Sequence, residues 1–266
     1  MTLSDSKHFL KYYIQRAKAS LMQFAEYRAN MIMAVLGSYG YTFMMIVFIE
    51  VIFSKTQEVA GWGKYEMMML FSLGQSVFYT FWSFFQPLHT WFSEAIIDGE
   101  LDLYLTKPIN AFLNVVSSDF DLVEMLPSIG LAVAMFVFVW KKLGLVFEPV
   151  MLWAIVSTIL SCGIMVGLYA VTALAAFWLT DTRDLASIQS SLLSLNQFPL
   201  DIFPKSIKAA MLIFPVALIS YPQTKLLLEG KLNIYLLLQP VAFIILFLVV
   251  RTMWGRGLKR YSSASS

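Results

Sequence analysis

Cysteine, histidine and charged side chains are all scarce in this chain of 266 residues. The single cysteine, Cys162, excludes an internal disulfide, and we expect it to be a small packing residue because it lies in an apolar run. The two histidines, His8 and His89, are far apart, so the sequence predicts no histidine-rich zinc site within a membrane. Charged residues make up 14% of the chain, against about 25% in soluble domains. This shortage of charge indicates that much of the chain does not face water.

Sequence motifs for nucleotide binding and hydrolysis are absent as well. No G-x-x-x-x-G-K-[ST] segment occurs, and the nearest approach to it, Gly61-Trp-Gly-Lys64, lacks the loop length and the hydroxyl that a P-loop needs. There is no G-x-S-x-G segment and no pair of carboxylates inside an apolar run. The chain is therefore predicted not to be catalytic and to hold neither a metal nor a cofactor of its own. No basic tract suggests a nucleic acid partner.

Apolar residues are abundant instead, because 59% of the chain is hydrophobic and the mean hydropathy is +0.70. Runs of roughly 20 apolar residues are long enough to cross the hydrocarbon core of a lipid bilayer as helices. The sequence predicts an all-α integral membrane protein in which six transmembrane helices form a domain over residues 31–252. We place the spans at residues 31–53, 65–86, 121–140, 150–179, 185–198 and 232–250. The first run exceeds the apolar core of a signal peptide, so we expect it to be retained.

The two terminal segments are more polar than this domain. In residues 1–30, apolar side chains recur every three or four positions while lysines follow another face. This pattern predicts an N-terminal amphipathic helix lying in the membrane interface; a soluble helix that packs on a partner is the alternative. Residues 253–266 form a short basic tail that we expect to be disordered.

The distribution of basic residues predicts the orientation of the chain. With six spans, both termini lie on one side of the membrane, and every arginine falls on that side: Arg16, Arg28, Arg183, Arg251, Arg256 and Arg260. Because cytoplasmic loops are enriched in basic residues, both termini are predicted to be cytoplasmic. Residues 91–110, which follow the second span, then face the cytoplasm.

Residues 91–110 lie between two apolar runs yet contain four carboxylates, Glu94, Asp98, Glu100 and Asp102. Unpaired carboxylates are costly in hydrocarbon, so this stretch belongs outside the bilayer. A helix would align Glu94, Asp98 and Asp102 at positions i, i+4 and i+8 in one acidic stripe, whose repulsion a cationic partner would relieve. The alternative is a solvated loop with ordinary acids.

The rest of this stretch predicts a short helix with an apolar contact surface. Gly99 would end or bend the acidic helix after about two turns. A second apolar patch follows and stops at Pro108; its members are Leu101, Leu103, Tyr104 and Leu105. An acidic face beside an apolar patch suits docking on a soluble subunit.

Two further patterns predict how the later spans are built. Gly163 and Gly167 have the small-xxx-small spacing that permits close contact between two helices. Pro199, Pro204, Pro215 and Pro222 fall within 24 residues, which no straight spanning helix can accommodate. We therefore predict short helices joined by bends that dip partway into the membrane. The aromatic residues of the second span indicate either an interfacial belt or a hydrophobic substrate path.

Two segments resemble a known family. Asp98-Gly-Glu-Leu-Asp-Leu-Tyr-Leu105, followed by Lys107-Pro-Ile-Asn110, resembles the I-x-x-G-x-L-D-x-x-L-x-x-P segment of ABC exporter permeases of the ABC-2 class. Phe198-Pro-Leu-Asp-Ile-Phe-Pro204, with Phe214-Pro215 and Ser220-Tyr-Pro222 beyond it, is similar to the proline pattern of the subgroup whose permeases are often encoded in adjacent pairs. Both segments occur in the family's order, and the resemblance covers nearly the whole chain.

The resemblance implies a six-span permease subunit that pairs with a second one, identical or paralogous, on two copies of a separate ABC ATPase subunit. That ATPase would bind the ATP and Mg. The cytoplasmic coupling helix would dock on it through Glu94, Asp98, Gly99, Glu100, Leu101, Asp102, Tyr104, Leu105, Lys107 and Pro108. The segment before the last span would form extracellular re-entrant helices, with an outer gate at Phe198, Pro199, Phe203, Pro204, Pro215, Tyr221 and Pro222.

The predicted function is therefore the permease subunit of an ATP-driven exporter in the cell membrane. A membrane assembly or signalling subunit that transports nothing is one alternative. An ion-coupled secondary carrier is another, but it would require charged residues at midspan, and the sequence has almost none.

Overall fold

A computed structural model describes residues 14–15, 18, 22, 28–106, 110–116, 118 and 122–261, and every regular element within these ranges is helical. Eleven α-helices are labelled here in chain order: α1 Arg28–Phe53, α2 Lys64–Phe85, α3 Phe92–Ile97, α4 Asp102–Leu105, α5 Ala111–Val116, α6 Leu122–Leu143, α7 Trp153–Leu174, α8 Arg183–Ser194, α9 Lys205–Ile213, α10 Tyr221–Glu229 and α11 Ile234–Arg260. Short 3-10 turns extend several of them, at Gln86–Leu88, Pro149–Leu152, Ala175–Phe177, Leu195–Gln197, Leu200–Ile202 and Val216–Leu218.

The two terminal predictions have different outcomes. The amphipathic helix predicted over residues 1–30 lies largely outside the described residues, so it stays a prediction. The disordered tail predicted from residue 253 was wrong at its start, because α11 continues without interruption to Arg260. Only residues 262–266 of that predicted tail lie outside the described part of the chain.

Four helical stretches in the described ranges are long and apolar enough to cross a membrane: Ile32–Phe53, Leu126–Leu143, Pro149–Phe177 and Ile234–Arg260. The second predicted span is helix α2, whose 22 residues include Lys64, Glu66 and several hydroxyl or amide side chains. The predicted fifth span is the 12-residue helix α8, which rises only about 18 Å against a hydrocarbon thickness of about 30 Å. The fold is thus all-helical and multi-pass, while the six-span count remains a prediction.

Helix α2 forms the centre of the bundle and packs against α6, α7 and α10. Its buried side chains include Met69, Leu70, Phe71 and Phe81, which are shielded from solvent on nearly every side. A central helix surrounded by protein can carry polar groups that a lipid-facing helix cannot, because its neighbours satisfy or enclose them. This position explains why α2 is less apolar than the four stretches above.

Helices α7 and α11 pack closely through the predicted pair of glycines. A Cβ atom added at Gly163 would overlap the ring of Phe243, and one added at Gly167 would lie 2.9 Å from Cβ of Leu246. Small residues let two helix backbones approach, which increases van der Waals contact inside a membrane. The close helix contact predicted from this spacing is confirmed.

The bundle has two distinct ends. At one end, which we call the Trp254 end, the indole of Trp254 contacts the rings of Phe92 and Phe177. At the other end, which we call the Trp62 end, Lys64 forms an ion pair with Glu50 at 3.1 Å. Residues 91–110 therefore lie at the same end as the last turns of α11. The proline-rich segment lies at the opposite end, beside Trp62.

Candidate functional site

A cavity of about 660 Å³ lies between α1, α2, α7 and α8. It occupies the halves of α1 and α2 that are nearer the Trp254 end. Its lining consists of Ala34, Gly37, Ser38, Tyr41, Gly74, Gln75, Phe78, Tyr79, Trp82, His89, Tyr169, Ser190, Leu193, Ser194, Asn196 and Gln197. The exposed lining residues Tyr41, Ser190 and Ser194 indicate that the cavity opens sideways between α1 and α8.

The lining of this cavity combines aromatic rings with uncharged polar groups. Among the described residues, this lining includes no Asp, Glu, Lys or Arg side chain. Burial lowers the pKa of His89 below its ordinary value, so its imidazole is neutral at pH 7. The rings of Phe78 and Trp82 stack at 5.7 Å, and the ring of His89 lies 4.9 Å from that of Trp82. A site of this kind suits a molecule with apolar surface and hydrogen-bonding groups.

Contacts between α1 and the residues after α8 border the cavity on the side of the Trp62 end. The Tyr41 hydroxyl donates a hydrogen bond to Oε1 of Gln197. About two turns further along α1, the ring of Phe48 meets the ring of Phe198 edge-on at 6.3 Å. The Ser220 hydroxyl also donates to the backbone carbonyl of Asn196. These contacts join the cavity border to the start of the proline-rich segment at Phe198 and to its end at Ser220.

The proline-rich segment consists of short helices joined by bends, as its proline spacing predicts: α9, α10 and the 3-10 turns at Leu200–Ile202 and Val216–Leu218. Of the predicted gate residues, Pro199, Pro215, Tyr221 and Pro222 are buried, whereas Phe198 and Phe203 are half-buried and Pro204 is exposed. The segment therefore packs into the bundle through some of its prolines and is not a loop at the surface.

One carboxylate fixes this segment to the loop between α1 and α2. The Oδ2 atom of Asp201 accepts hydrogen bonds from Nε1 of Trp62 and from the hydroxyl of Tyr221, each at 2.8 Å. The ammonium group of Lys225 lies 5.2 Å from the ring of Trp62, in the geometry of a cation–π contact. Neither Trp62 nor Asp201 was among the predicted gate residues, because residues so far apart in the sequence are brought together only by the fold.

The acidic stretch forms two short helices instead of one. Helix α3 ends at Ile97, Gly99 has a positive φ of 79°, and α4 begins at Asp102. The bend predicted at Gly99 is confirmed. The single acidic stripe was wrong for Asp102, because the left-handed backbone at Gly99 separates α3 from α4, the helix on which Asp102 lies.

The other carboxylates of this stretch are open to a partner. Glu94, Asp98 and Glu100 are exposed, and none of them forms an ion pair with another described residue. The ion pairs of the described chain, Glu50 with Lys64 and Lys225 with Glu229, lie at the Trp62 end. A cationic partner surface would thus meet carboxylates that no cation among the described residues already neutralises.

The predicted apolar patch after Gly99 is divided between core and surface. Leu101 is fully buried, and its amide donates to the carbonyl of Ala95 at 3.1 Å. The ring of Tyr104 stacks on that of Trp91 at 5.2 Å, whereas the side chain of Leu103 is 67% exposed. Lys107 and Pro108 lie outside the described residues. Leu103 is thus the residue of this patch that offers apolar surface to a partner.

An aromatic cluster anchors α3 to the ends of α7 and α11. The ring of Phe92 lies 6.2 Å from the indole of Trp254, and the ring of Phe177 lies 6.0 Å from the same indole. Gly257 makes this packing possible, since an added Cβ would overlap the Phe177 ring. A force applied to α3 would therefore act directly on α11.

A buried polar network joins α7, α10 and α11 in the interior of the bundle. The Ser157 hydroxyl lies 2.7 Å from Oε1 of Gln239 and 3.0 Å from Oε1 of Gln223. The Nε2 atom of Gln239 donates to the Ser161 hydroxyl at 3.0 Å and to the Leu218 carbonyl at 2.8 Å. Gln239 therefore connects the last helix to the proline-rich segment. The sequence gives only a weak signal for it, an amide inside an apolar run.

These features define a multi-pass helical membrane protein with a cavity among its helices. A protein-family model described as "ABC-2 family transporter protein" matches residues 39–265, which is more than half of the chain. The chain belongs to this family. It is accordingly a membrane permease component of an ABC transporter and is not itself catalytic. No curated protein and no solved structure matches the chain.

Proposed function

We propose that this chain is the transmembrane permease subunit of an ATP-driven exporter, and that its lateral cavity is part of the translocation path. The observation that carries the proposal is the arrangement of the two ends around this cavity. Glu94, Asp98 and Glu100, which form no ion pair with another described residue, lie at the Trp254 end, and the packed proline-rich segment lies at the Trp62 end. An exporter driven by a separate ATPase needs a docking surface at one end of its path and a gate at the other.

The complete transporter in this proposal contains two permease subunits, identical or paralogous, and two ABC ATPase subunits that bind ATP and Mg. The cavity opens between α1 and α8, so a second permease subunit at this face would close the path. Helix α1 also presents exposed apolar side chains, among them Phe43, Met44 and Phe48, to lipid or to that subunit. The chain crosses the cell membrane six times with both termini in the cytoplasm.

The internal contacts provide a physical route for coupling. Docking of an ATPase would shift α3, and the Phe92–Trp254 contact would pass that shift to α11. Gln239 on α11 is hydrogen-bonded to the carbonyl of Leu218, so movement of α11 acts on the proline-rich segment. A continuous chain of packed elements can bias a gate in this way if the gate has two arrangements.

Purification of the tagged full chain in mild detergent tests the assembly. We expect a nucleotide-binding ATPase to be recovered with it and to hydrolyse ATP. A permease that is repeatedly recovered without any such ATPase would favour the assembly or signalling alternative.

Reversal of two exposed charges tests the docking surface. The Glu94→Lys, Asp98→Lys double variant should bind the ATPase at least about tenfold more weakly, because like charges would replace complementary ones across the interface. Recovery of the ATPase with the variant and ATP-driven export in vesicles measure the effect. Glu58→Lys, a single charge reversal in an exposed loop at the Trp62 end, is the control and should retain both. Normal ATPase recovery and export by the double variant would refute the docking role.

A further inference from the structure

Three polar groups line the cavity: the side-chain amide of Gln75, Nδ1 of His89 and Oδ1 of Asn196. Of these, Nδ1 of His89 and Oδ1 of Asn196 are buried without a hydrogen-bond partner among the described residues. Gln75 is 5% exposed and Asn196 is 9% exposed, so bulk water does not surround either residue. Buried polar atoms are normally satisfied by protein, by water or by a ligand. The three groups together form an uncharged hydrogen-bonding set within one enclosure.

Aromatic rings form a wall beside these polar groups. The ring of His89 lies 5.3 Å from that of Tyr169, and the stacked pair of Phe78 and Trp82 continues the wall. Flat rings offer a large apolar contact area, while adjacent amides and hydroxyls fix the orientation of a ligand. A volume of about 660 Å³ lies within the range of sites for small organic molecules.

The electrostatics of the lining discriminate between ligand classes. A charged ligand would lose its hydration shell on entering, and the described lining residues offer no counter-ion to compensate it. The aromatic faces would attract a cation, but none of the described lining residues carries a carboxylate to balance its charge. A neutral ligand incurs no such cost and can hydrogen-bond to Gln75 and Asn196.

We infer that the cavity binds an uncharged amphiphile, a molecule with hydroxyl or amide groups on an apolar body, and that this is the class of compound the transporter moves. The transport half of this inference rests on the proposed function. The binding half does not, because the cavity lies within a single chain.

Binding of three probes that share one octyl chain tests the inference. Octyl glucoside is neutral, octyltrimethylammonium is cationic and octyl sulfate is anionic. The full chain in lipid nanodiscs is incubated with radiolabelled octyl glucoside below its critical micelle concentration, and binding to empty nanodiscs is subtracted. We expect saturable binding of the glucoside, with the two charged probes competing at least about tenfold more weakly because neither finds a counter-ion in the cavity. Stronger competition by either charged probe, or equal competition by all three, would overturn the inference.

A pair of matched variants locates the binding. Gln75→Leu keeps the approximate volume but removes the amide, and it should weaken glucoside binding by about tenfold. Gln189→Leu makes the same change at a partly buried amide on α8 that does not line the cavity, and it should bind as the parent does. Gel filtration reports whether each variant folds. If Gln75→Leu does not fold, Asn196→Leu is used as the cavity variant instead. Unchanged binding by the folded cavity variant would place the glucoside elsewhere and refute the site.

Nanodiscs that contain a two-chain glycolipid distinguish a ligand from the bilayer from one in water. Displacement of labelled glucoside by the glycolipid would identify the bilayer as the source, whereas displacement only by soluble glucoside would identify the aqueous phase. Either result is consistent with an uncharged amphiphile as the ligand. A chain that selects the neutral probe but never associates with an ATPase would refute the proposed exporter and leave the site standing. An active exporter that prefers a charged probe would refute the neutral binding site and leave the proposed exporter function standing.

Discussion

At the scale of single residues, Gly257 permits the contact on which the Trp254 end is built. Helix α11 passes so close to Phe177 at this position that any side chain would overlap the ring. Gly255 lies on the same helix two residues earlier, and an added Cβ there would meet no atom within 4 Å. Glycine lowers helix stability wherever it occurs in a helix interior, so only a packing requirement of this kind explains Gly257.

The Gly257→Ala variant should be less stable than the parent by about 1–3 kcal/mol, because the added methyl group forces the Phe177 ring or the helix to move. Gly255→Ala is the control and should be equally or slightly more stable, since alanine favours a helix. Thermal unfolding of both variants in detergent measures the difference. Equal melting temperatures for the two variants would contradict the role assigned to Gly257.

At the scale of elements, the proline-rich segment keeps its position through side-chain contacts more than through regular backbone structure. Its helices are short, so they gain little from helical hydrogen bonding alone. Asp201 holds the segment in place by accepting hydrogen bonds from Trp62, in the loop between α1 and α2, and from Tyr221 at the start of α10. The ring of Tyr221 also meets that of Tyr235 edge-on at 4.9 Å, which ties α10 to the first turn of α11.

The Asp201→Ala variant should loosen this segment, because Trp62 and Tyr221 both lose their acceptor, at a cost of about 1.5–3 kcal/mol for each charged hydrogen bond. Amide hydrogen exchange over residues 199–222 should become faster. Glu229→Ala removes the carboxylate of the surface pair with Lys225 on the same helix and should change exchange little, since such pairs contribute about 0–1 kcal/mol. Exchange rates that are the same in both variants would show that Asp201 does not hold the segment.

At the scale of the whole molecule, the two ends are linked through α11. This helix carries Trp254 at one end and contacts Tyr221 near its start through Tyr235. Between these contacts, Gln239 is fully buried and bonds to Leu218 and Ser161. Removing the amide would leave buried polar groups of the other elements without a partner, and would weaken the connection without touching the docking surface.

The Gln239→Leu variant should therefore retain its ATPase subunits but export less per ATP hydrolysed, by about two- to thirtyfold if the connection contributes the 0.5–2 kcal/mol typical of coupling residues. Export and ATP hydrolysis are measured on the same reconstituted vesicles. Gln189→Leu, which changes an amide outside this network, should keep the parent ratio. A parent-like ratio in Gln239→Leu would show that coupling does not pass through α11.

Local features of the fold were predictable from the sequence because they depend on neighbouring residues. The apolar runs, the bend at Gly99, the broken helices between Pro199 and Pro222 and the close approach at Gly163 and Gly167 all follow from backbone and packing rules that act over a few positions. The division of Glu94 and Asp102 between two helices did not follow from the helical periodicity, because the left-handed residue Gly99 interrupts the helix between them.

The sequence by itself determined that this is a helical membrane protein with an acidic stretch outside the bilayer, since hydropathy and charge act on each segment independently of its neighbours. Only the tertiary structure decided which residues meet. It brought Gln75, His89 and Asn196 to one cavity, and it placed Asp201 between Trp62 and Tyr221. These groupings depend on the packing of helices that are distant in the chain, and no periodicity within one helix records the face that its neighbour will present.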